Sequence, residues 1–250
     1  MDSVSELQII ETSDGSLTLA NTALGVTYRS DQGAQGEAAH VFIQASGLLS
    51  IEDEWQVFEL GFGGGRNCLQ TLEAFMNTPN VSRLNYVSVE NNLIDASLFK
   101  QIYAASPLAS LVPHVSPVLT QTPTRRASAQ WSISAQKEFS MTLYQDHWKN
   151  VPLGVFLADA IFHDPFGPQD NPEAWTPECF SWQASQLKPE GRLVTYSAAS
   201  AARRAMQSSG WVVASAPGFG RKREMTLASQ EASSLLTYQL WKPLSSEGVS

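Results

Sequence analysis

The sequence is poor in the residues that build covalent or metal-held frameworks. Its two cysteines, Cys68 and Cys179, stand far apart in 250 residues. That spacing fits reduced thiols in a core better than a disulfide scaffold or a zinc site. The four histidines show no metal-ligand spacing, so no metal is expected. Long hydrophobic runs are missing as well. None approaches the roughly 20 residues that a helix needs to cross a bilayer, so no membrane association is expected. The first residues, MDSVSELQIIETSDGS, carry acids and no basic stretch, which is not the pattern of a secretory leader. A cytoplasmic location is the expectation that follows. Cations are scarce too: 16 Lys and Arg stand against 24 Asp and Glu, a net charge of −8. That balance disfavours partners held mainly through phosphate contacts.

What is present points to one α/β core. Hydrophobic residues make up 43% of the chain, enough to exclude wholesale disorder. Its length suits one sizeable core better than two. The few cations cluster at Arg125-Arg126, Arg203-Arg204 and Arg221-Lys222-Arg223, and an acidic protein can still meet RNA through one local basic face. In the first 50 residues, two short strands around Leu7–Ile10 and Leu17–Leu19 flank a Ser-Asp-Gly-Ser turn. Helical spacing of Ala38, Val41, Phe42, Ala45 and Leu48 follows. We read 1–50 as an N-terminal extension, 51–244 as the core domain and 245–250 as a frayed tail. Within the core, strands are predicted at 56–60, 84–90, 140–145, 154–162, 191–197 and 211–215. Helices are predicted at 66–76, 93–104, 173–187 and 200–209. Residues 113–136, rich in Pro, Ser and Thr, read as a connection with one short edge strand. Strands that alternate with helices imply a mostly parallel sheet covered on both faces.

Val57 to Arg66, VFELGFGGGR, is the most informative stretch. A buried strand ends in Gly61, Gly63, Gly64 and Gly65 and turns into a helix. Glycines let main chain approach a ligand, and the helix start offers unpaired N–H groups. The dinucleotide fingerprint wants glycine at its first, third and sixth positions. Counted from Gly61 the sixth is Arg66, which disfavours a nicotinamide enzyme. The spacing resembles the glycine pattern of S-adenosyl-L-methionine (SAM) methyltransferases, with Glu59 as the strand-end acid.

In doubly wound folds ligands sit at the carboxyl ends of strands, and several acids fall there. Glu90 closes LNYVSVE and suits a ribose diol. Asp146 follows Leu143-Tyr144-Gln145 and suits an adenine amino group. Asp164 follows an apolar strand and opens a loop fixed by Pro165 and Pro168, with Phe166 between them. A placed carboxylate beside an aromatic suits a flat base that carries an amine. It can orient an N–H and stabilise the cation that forms when nitrogen takes up a methyl group. Asp159 reads as a buried structural acid, and His163 as a tolerated neighbour outside the catalytic set. A third signal, Pro217 to Met225, puts Phe219 between two glycines and then presents Arg221, Lys222 and Arg223.

Five motifs carry a resemblance to the methyltransferase half of the bacterial MnmC-type tRNA modification enzymes. They are Tyr28-x-Ser30 with Glu37 and Val41-Phe42; Gly61-Phe62-Gly63-x-Gly65-x-Asn67; Ser88-x-Glu90; Asp164-x-Phe166-x-Pro168-x-x-Asn171-Pro172-x-x-Trp175; and Gly218 to Met225. They span about four-fifths of the chain. The resemblance implies a class I SAM-dependent methyltransferase, Rossmann-like, with a mostly parallel seven-stranded sheet and an N-terminal β/α extension. It implies N-methylation of the 5-aminomethyl group of wobble (2-thio)uridine, with the anticodon region of tRNA as partner. It implies Asp164 as the catalytic residue and Glu59, Gly61, Gly63, Gly65, Asn67, Glu90 and Asp146 around SAM. Phe166, Arg221, Lys222 and Arg223 then face the substrate. The sequence departs from the pattern at Pro165, where a small residue is usual. Many relatives also carry an FAD-dependent oxidoreductase domain. The chain ends about 25 residues after Met225, so no FAD is expected and the aminomethyl substrate is expected from another enzyme. The acidic balance keeps a small-molecule or protein amine open as the alternative substrate.

Overall fold

The structure is a computed structural model. It describes residues 7–12, 15–23, 25–28, 36, 38–121, 126–152, 154, 156–220 and 223–243. Strands β1 (Leu7–Glu11), β2 (Leu17–Asn21) and β3 (Val26–Thr27) form a small antiparallel sheet. From β2, Leu19 is fully buried in the main core. The helical spacing expected after it becomes a π-helical turn, Ala39–Gln44, and a 3-10 turn, Leu48–Ser50. Ala38, Val41, Phe42, Ala45 and Leu48 are all buried, as their spacing implied. Gly47, in the left-handed region at φ 84°, separates the two turns.

The rest follows a strand–helix alternation. In chain order the elements are β4 (Asp53–Leu60), α1 (Arg66–Met76), β5 (Val81–Glu90), α2 (Ala96–Tyr103), α3 (Val112–Thr120), β6 (Arg126–Ser134) and β7 (Lys137–Gln145). Then come β8 (Ala158–His163), α4 (Pro177–Ala184), β9 (Leu187–Thr195), α5 (Ser200–Ser208), β10 (Val212–Pro217), β11 (Glu224–Ser229) and β12 (Gln239–Leu240). Among the described residues, one sheet of nine strands runs in the order β12-β10-β11-β9-β8-β4-β5-β7-β6. The five strands from β9 to β7 are parallel, and β11 returns antiparallel against β9. Seven strands were expected. The inner seven are there, and the sheet gains β6 and β12, one at each edge.

Segment 113–136 is more ordered than a connection. Val112, Val115, Val118 and Leu119 bury one face of α3. Pro113 sits in its first turn, where no N–H is needed. Pro117 lies inside the helix, and that apolar face outweighs the bond it removes. The nine residues of β6 alternate, with Ala127, Ala129, Trp131 and Ile133 turned to the core and Trp131 stacked on Phe139 at 5.2 Å. The single helix expected at 173–187 is a 3-10 turn, Pro172–Trp175, followed by α4, which opens with Pro177. β11 was not expected as a strand.

The core lies on both faces of the sheet. Along β4, Trp55 and Val57 join one apolar cluster with α1 and α2, while Phe58 and Leu60 join the other with α4 and α5. That alternation has the period of a strand buried on both sides. Chain order reverses at β4: β5 and β7 lie on one side, β8 and β9 on the other. A crevice at the carboxyl end of the central strand follows from this topology.

Candidate active site

A cavity of about 480 Å³ opens at that point. Its walls come from the ends of the parallel strands and the segments that follow them: Gly61 to Gly64 after β4, Glu90 and Asn91 at the end of β5, Asp146 to Trp148 after β7, Asp164 to Gly167 after β8, and Tyr196 after β9. Val26, Thr27 and Tyr28 of the N-terminal sheet complete it.

The glycine loop joins the ends of the strands. The Gly61 N–H donates to the Val89 carbonyl at 2.9 Å, and the Asp164 N–H donates to the Leu60 carbonyl at 2.9 Å. Gly61 takes φ +96°, and a Cβ there would lie 2.6 Å from the Asp164 carbonyl oxygen. A bare α-carbon is what lets the β4 and β8 ends meet. The Gly63 N–H donates to Glu90 Oε2 at 2.9 Å, and the Asn92 N–H donates to Glu90 Oε1 at 2.8 Å. Burial pushes the Glu90 carboxyl above its ordinary pKa, and these N–H groups pull it back. Each carboxylate oxygen has a second acceptor position, which fits a vicinal diol. Asp146 Oδ1 accepts from the His147 N–H at 2.8 Å and from Asn150 Nδ2 at 2.7 Å.

Asp164 is half-buried and lines the cavity. Its Oδ2 accepts from Asn67 Nδ2 at 2.8 Å, and the same nitrogen donates to Glu59 Oε1 at 3.0 Å. The loop that carries Asp164 is clamped at two carbonyls. The Tyr196 hydroxyl donates to Pro165 O at 2.9 Å, and the Trp175 indole donates to Phe166 O at 2.8 Å. The ring of Phe166 meets Tyr28 edge-on at 5.0 Å.

Six of the expected site residues therefore share one cavity: Gly61, Gly63, Glu90, Asp146, Asp164 and Phe166. Three others sit one layer behind its wall. Glu59 and Asn67 are buried at 0% and 1% exposure. Gly65 stands at the start of α1, where a Cβ would lie 2.7 Å from the rings of Phe62 and Phe99. Arg223 is exposed just before β11, at the carboxyl end of the parallel strands, the end at which the cavity opens. Arg221 and Lys222 lie outside the described residues, as do Ser30, Glu37, Arg125 and the tail expected at 245–250.

Arg203 is not an RNA-facing cation. It is buried and donates to Thr226 Oγ1 at 2.9 Å, to the Met225 carbonyl at 3.1 Å and to Glu224 at 3.0 Å. Asp159 is structural, as expected. Its Oδ1 pairs with Lys188 at 2.8 Å and its Oδ2 accepts the Gln56 N–H at 2.9 Å. His163 is fully buried, and burial pulls its imidazole down to about 3. Its Nδ1 meets Gln183 Oε1 at 3.1 Å.

Sequence reasoning missed the aromatic and polar rim. Tyr28 entered only as part of a motif, yet it lines the cavity, and burial with the nearby Glu90 charge pushes its phenol up to about 12. His147 and Glu173 bridge the rim at 2.8 Å. Their separation in sequence hid the pairing.

The strand order and the crevice at β4, glycine-lined and acid-rimmed, define the class. Residues 111–231 match the model of a family described as S-adenosyl-L-methionine-dependent methyltransferase. The chain is a class I SAM-dependent methyltransferase domain, with SAM as its cofactor. It is 33% identical over 213 residues to the tRNA 5-methylaminomethyl-2-thiouridine biosynthesis bifunctional protein MnmC of Ralstonia nicotianae, an alignment that covers 81% of this chain and 31% of that protein. Over 207 residues it is 32% identical to the MnmC of Cupriavidus necator, again covering 81% and 31%. The chain thus spans about a third of the length of these bifunctional relatives. The crystal structure of MnmC2 from Aquifex aeolicus superposes with a TM-score of 0.71 at 27% identity, over 92% of this chain and 72% of that one. Through its methyltransferase region the chain is similar to the MnmC proteins. Among the described residues, no helix is long and apolar enough to cross a membrane, and no cluster of His, Cys, Asp and Glu could hold a metal ion.

Proposed function

We propose that the chain methylates the primary amine of 5-aminomethyl-(2-thio)uridine at the wobble position of tRNA, giving the 5-methylaminomethyl base. The observation that carries this reading is a carboxylate, Asp164, presented at the cavity on a clamped loop beside an aromatic ring, against the glycine turn of a SAM-dependent fold. Bound SAM supplies a methyl group activated by its sulfonium. The main chain at Gly61 and Gly63 faces its methionine part, Glu90 accepts from its ribose hydroxyls and Asp146 accepts from its adenine. Asp164 accepts an N–H of the substrate amine and so aims the nitrogen lone pair at the methyl carbon. The same carboxylate is counter-charge to the ammonium that forms, an interaction that strengthens as the reaction proceeds. Phe166 packs on the base, and Arg221, Lys222 and Arg223 meet phosphates.

The net charge of −8 favours a second reading, methylation of a small-molecule or protein amine. Methyl transfer to tRNA isolated with its wobble aminomethyl groups unmethylated, followed by mass analysis of the nucleosides, separates the two. The expected result is a gain of one methyl group on the 5-aminomethyl nucleoside, with free amines left unmodified. Turnover with free amines and none with tRNA would replace this reading by the second.

A further inference from the structure

We propose that Asn67 and Glu59 are positioning residues for methyl transfer: the Asn67 amide, anchored on the Glu59 carboxyl, sets the direction in which Asp164 presents its carboxylate to the substrate amine. This rests on the reading of Asp164 given above. The Asn67 amide holds its two N–H bonds at a fixed angle in one plane. One is directed to Glu59 Oε1 at 3.0 Å and the other to Asp164 Oδ2 at 2.8 Å. Anchoring the first fixes the second. Glu59 is itself anchored, since the Ser88 hydroxyl donates to its Oε2 at 2.8 Å. The three supporting residues stand on β4, β5 and α1, and each is no more than 1% exposed. Asp164 alone stands on a loop and alone reaches the cavity.

A buried carboxyl and a buried amide behind the cavity wall are costly unless fully hydrogen-bonded, and an apolar pair of similar volume would be the cheaper filling. The groups that face Glu59 are Asp164 from the end of β8, Cys68 from α1 and Tyr86 from β5. Burial first, and then the Asp164 charge, push the Glu59 carboxyl up to about 8. A protonated Glu59 still accepts the Asn67 bond through Oε1.

The test uses the full chain, SAM and the aminomethyl tRNA. Misplacing a reacting group by about 1 Å costs on the order of 100-fold in rate. Asn67→Ala is therefore expected to lower kcat by about 100-fold, with the SAM dissociation constant and the KM for tRNA within about threefold of wild type. Glu59→Ala is expected to show the same split, and Glu59→Gln, which keeps an acceptor oxygen, to restore most of the lost kcat. Should Asn67→Ala fail to fold by circular dichroism, Asn67→Ser replaces it. Serine can serve one of the two carboxyls but not both, so the same split is expected. Asp164→Ala run in parallel keeps two failures apart. An active Asp164→Ala removes the catalytic reading itself. An inactive Asp164→Ala beside an Asn67 variant with wild-type kcat overturns the positioning role. A folded Asn67 variant that loses SAM binding along with turnover also overturns it, because Asn67 would then serve the cofactor.

Discussion

An alanine methyl at position 61 would lie 2.6 Å from the Asp164 carbonyl oxygen, on a backbone held at φ +96°. Both facts act on the same point, since the carbon that cannot be added is the one that would push the acid away. Gly61→Ala is expected to lower kcat by about 100-fold through displacement of Asp164, and to destabilise the fold by more than about 1 kcal/mol through the positive φ. Steady-state rates and urea unfolding measure the two effects. An intact kcat would show that the β8 end tolerates the shift. At this scale the sequence revealed residues whose identity is unusual where they stand: glycines in series, and acids at strand ends. It did not reveal Tyr28 or the His147–Glu173 bridge, because a tyrosine or a histidine in a loop looks the same whether it lines a cavity or faces solvent. Glu59 and Asn67 were legible as important and not as remote from the cavity. A motif preserves chain spacing and does not say which side of a wall a side chain occupies.

Lys137 opens β7 and closes a neighbouring helix. Its Nζ donates to the carbonyls of Phe75, Thr78 and Val81 at 2.9, 2.7 and 2.6 Å and lies 4.4 Å from the centre of the Phe75 ring. One cation thus serves the end of α1 and the turn into β5, adding to the backbone N–H bonds that the Phe75 and Thr78 carbonyls accept from Thr78 and Val81. Hydrogen bonds from charged groups are worth about 1.5–3 kcal/mol each to stability at most, and these three share one ammonium. Lys137→Met is expected to cost about 2–3 kcal/mol in chemical unfolding with SAM affinity unchanged; a loss under about 0.5 kcal/mol would assign the end of α1 to water instead. The parallel strands and the helices between them were readable from composition and period. α3 and β11 were not, and β6 was readable only as a short edge strand. In α3 the buried Val112, Val115, Val118 and Leu119 outweigh two prolines. In β6 small residues, Ala127 and Ala129, carry the alternation and give a weak signal. β11 begins in the charged motif, so its glycines and cations drew attention from the Met225 to Ala228 run that is buried against β9.

Across the whole molecule, two buried titratable groups pull stability in opposite directions with pH. Glu59 rises from 4.5 to about 8, so its contribution is full below pH 4.5 and lost by pH 8. His163 falls from 6.5 to about 3, so its contribution is full above pH 6.5 and lost as pH drops to 3. Each slope is about 1.4 kcal/mol per pH unit at its steepest. Between pH 4.5 and 6.5 the two slopes oppose, with Glu90, also raised by burial, adding on the Glu59 side, so the pH dependence there is expected to be shallower than the falls below pH 4.5 and above pH 6.5. Urea unfolding across that range checks it. Glu59→Gln is expected to flatten the alkaline arm, and an unchanged arm would reject the assignment. The nine-stranded sheet, the cavity at β4 and the acids around it converge on one claim: the strand ends hold a methyl donor where Asp164 can steer an amine onto it. A crystal structure of the chain with S-adenosylhomocysteine tests this most directly. The account predicts the ribose hydroxyls on Glu90 and the sulfur turned toward the Asp164–Phe166 loop. A sulfur turned away from Asp164, or a ligand bound outside the β4 crevice, would contradict it.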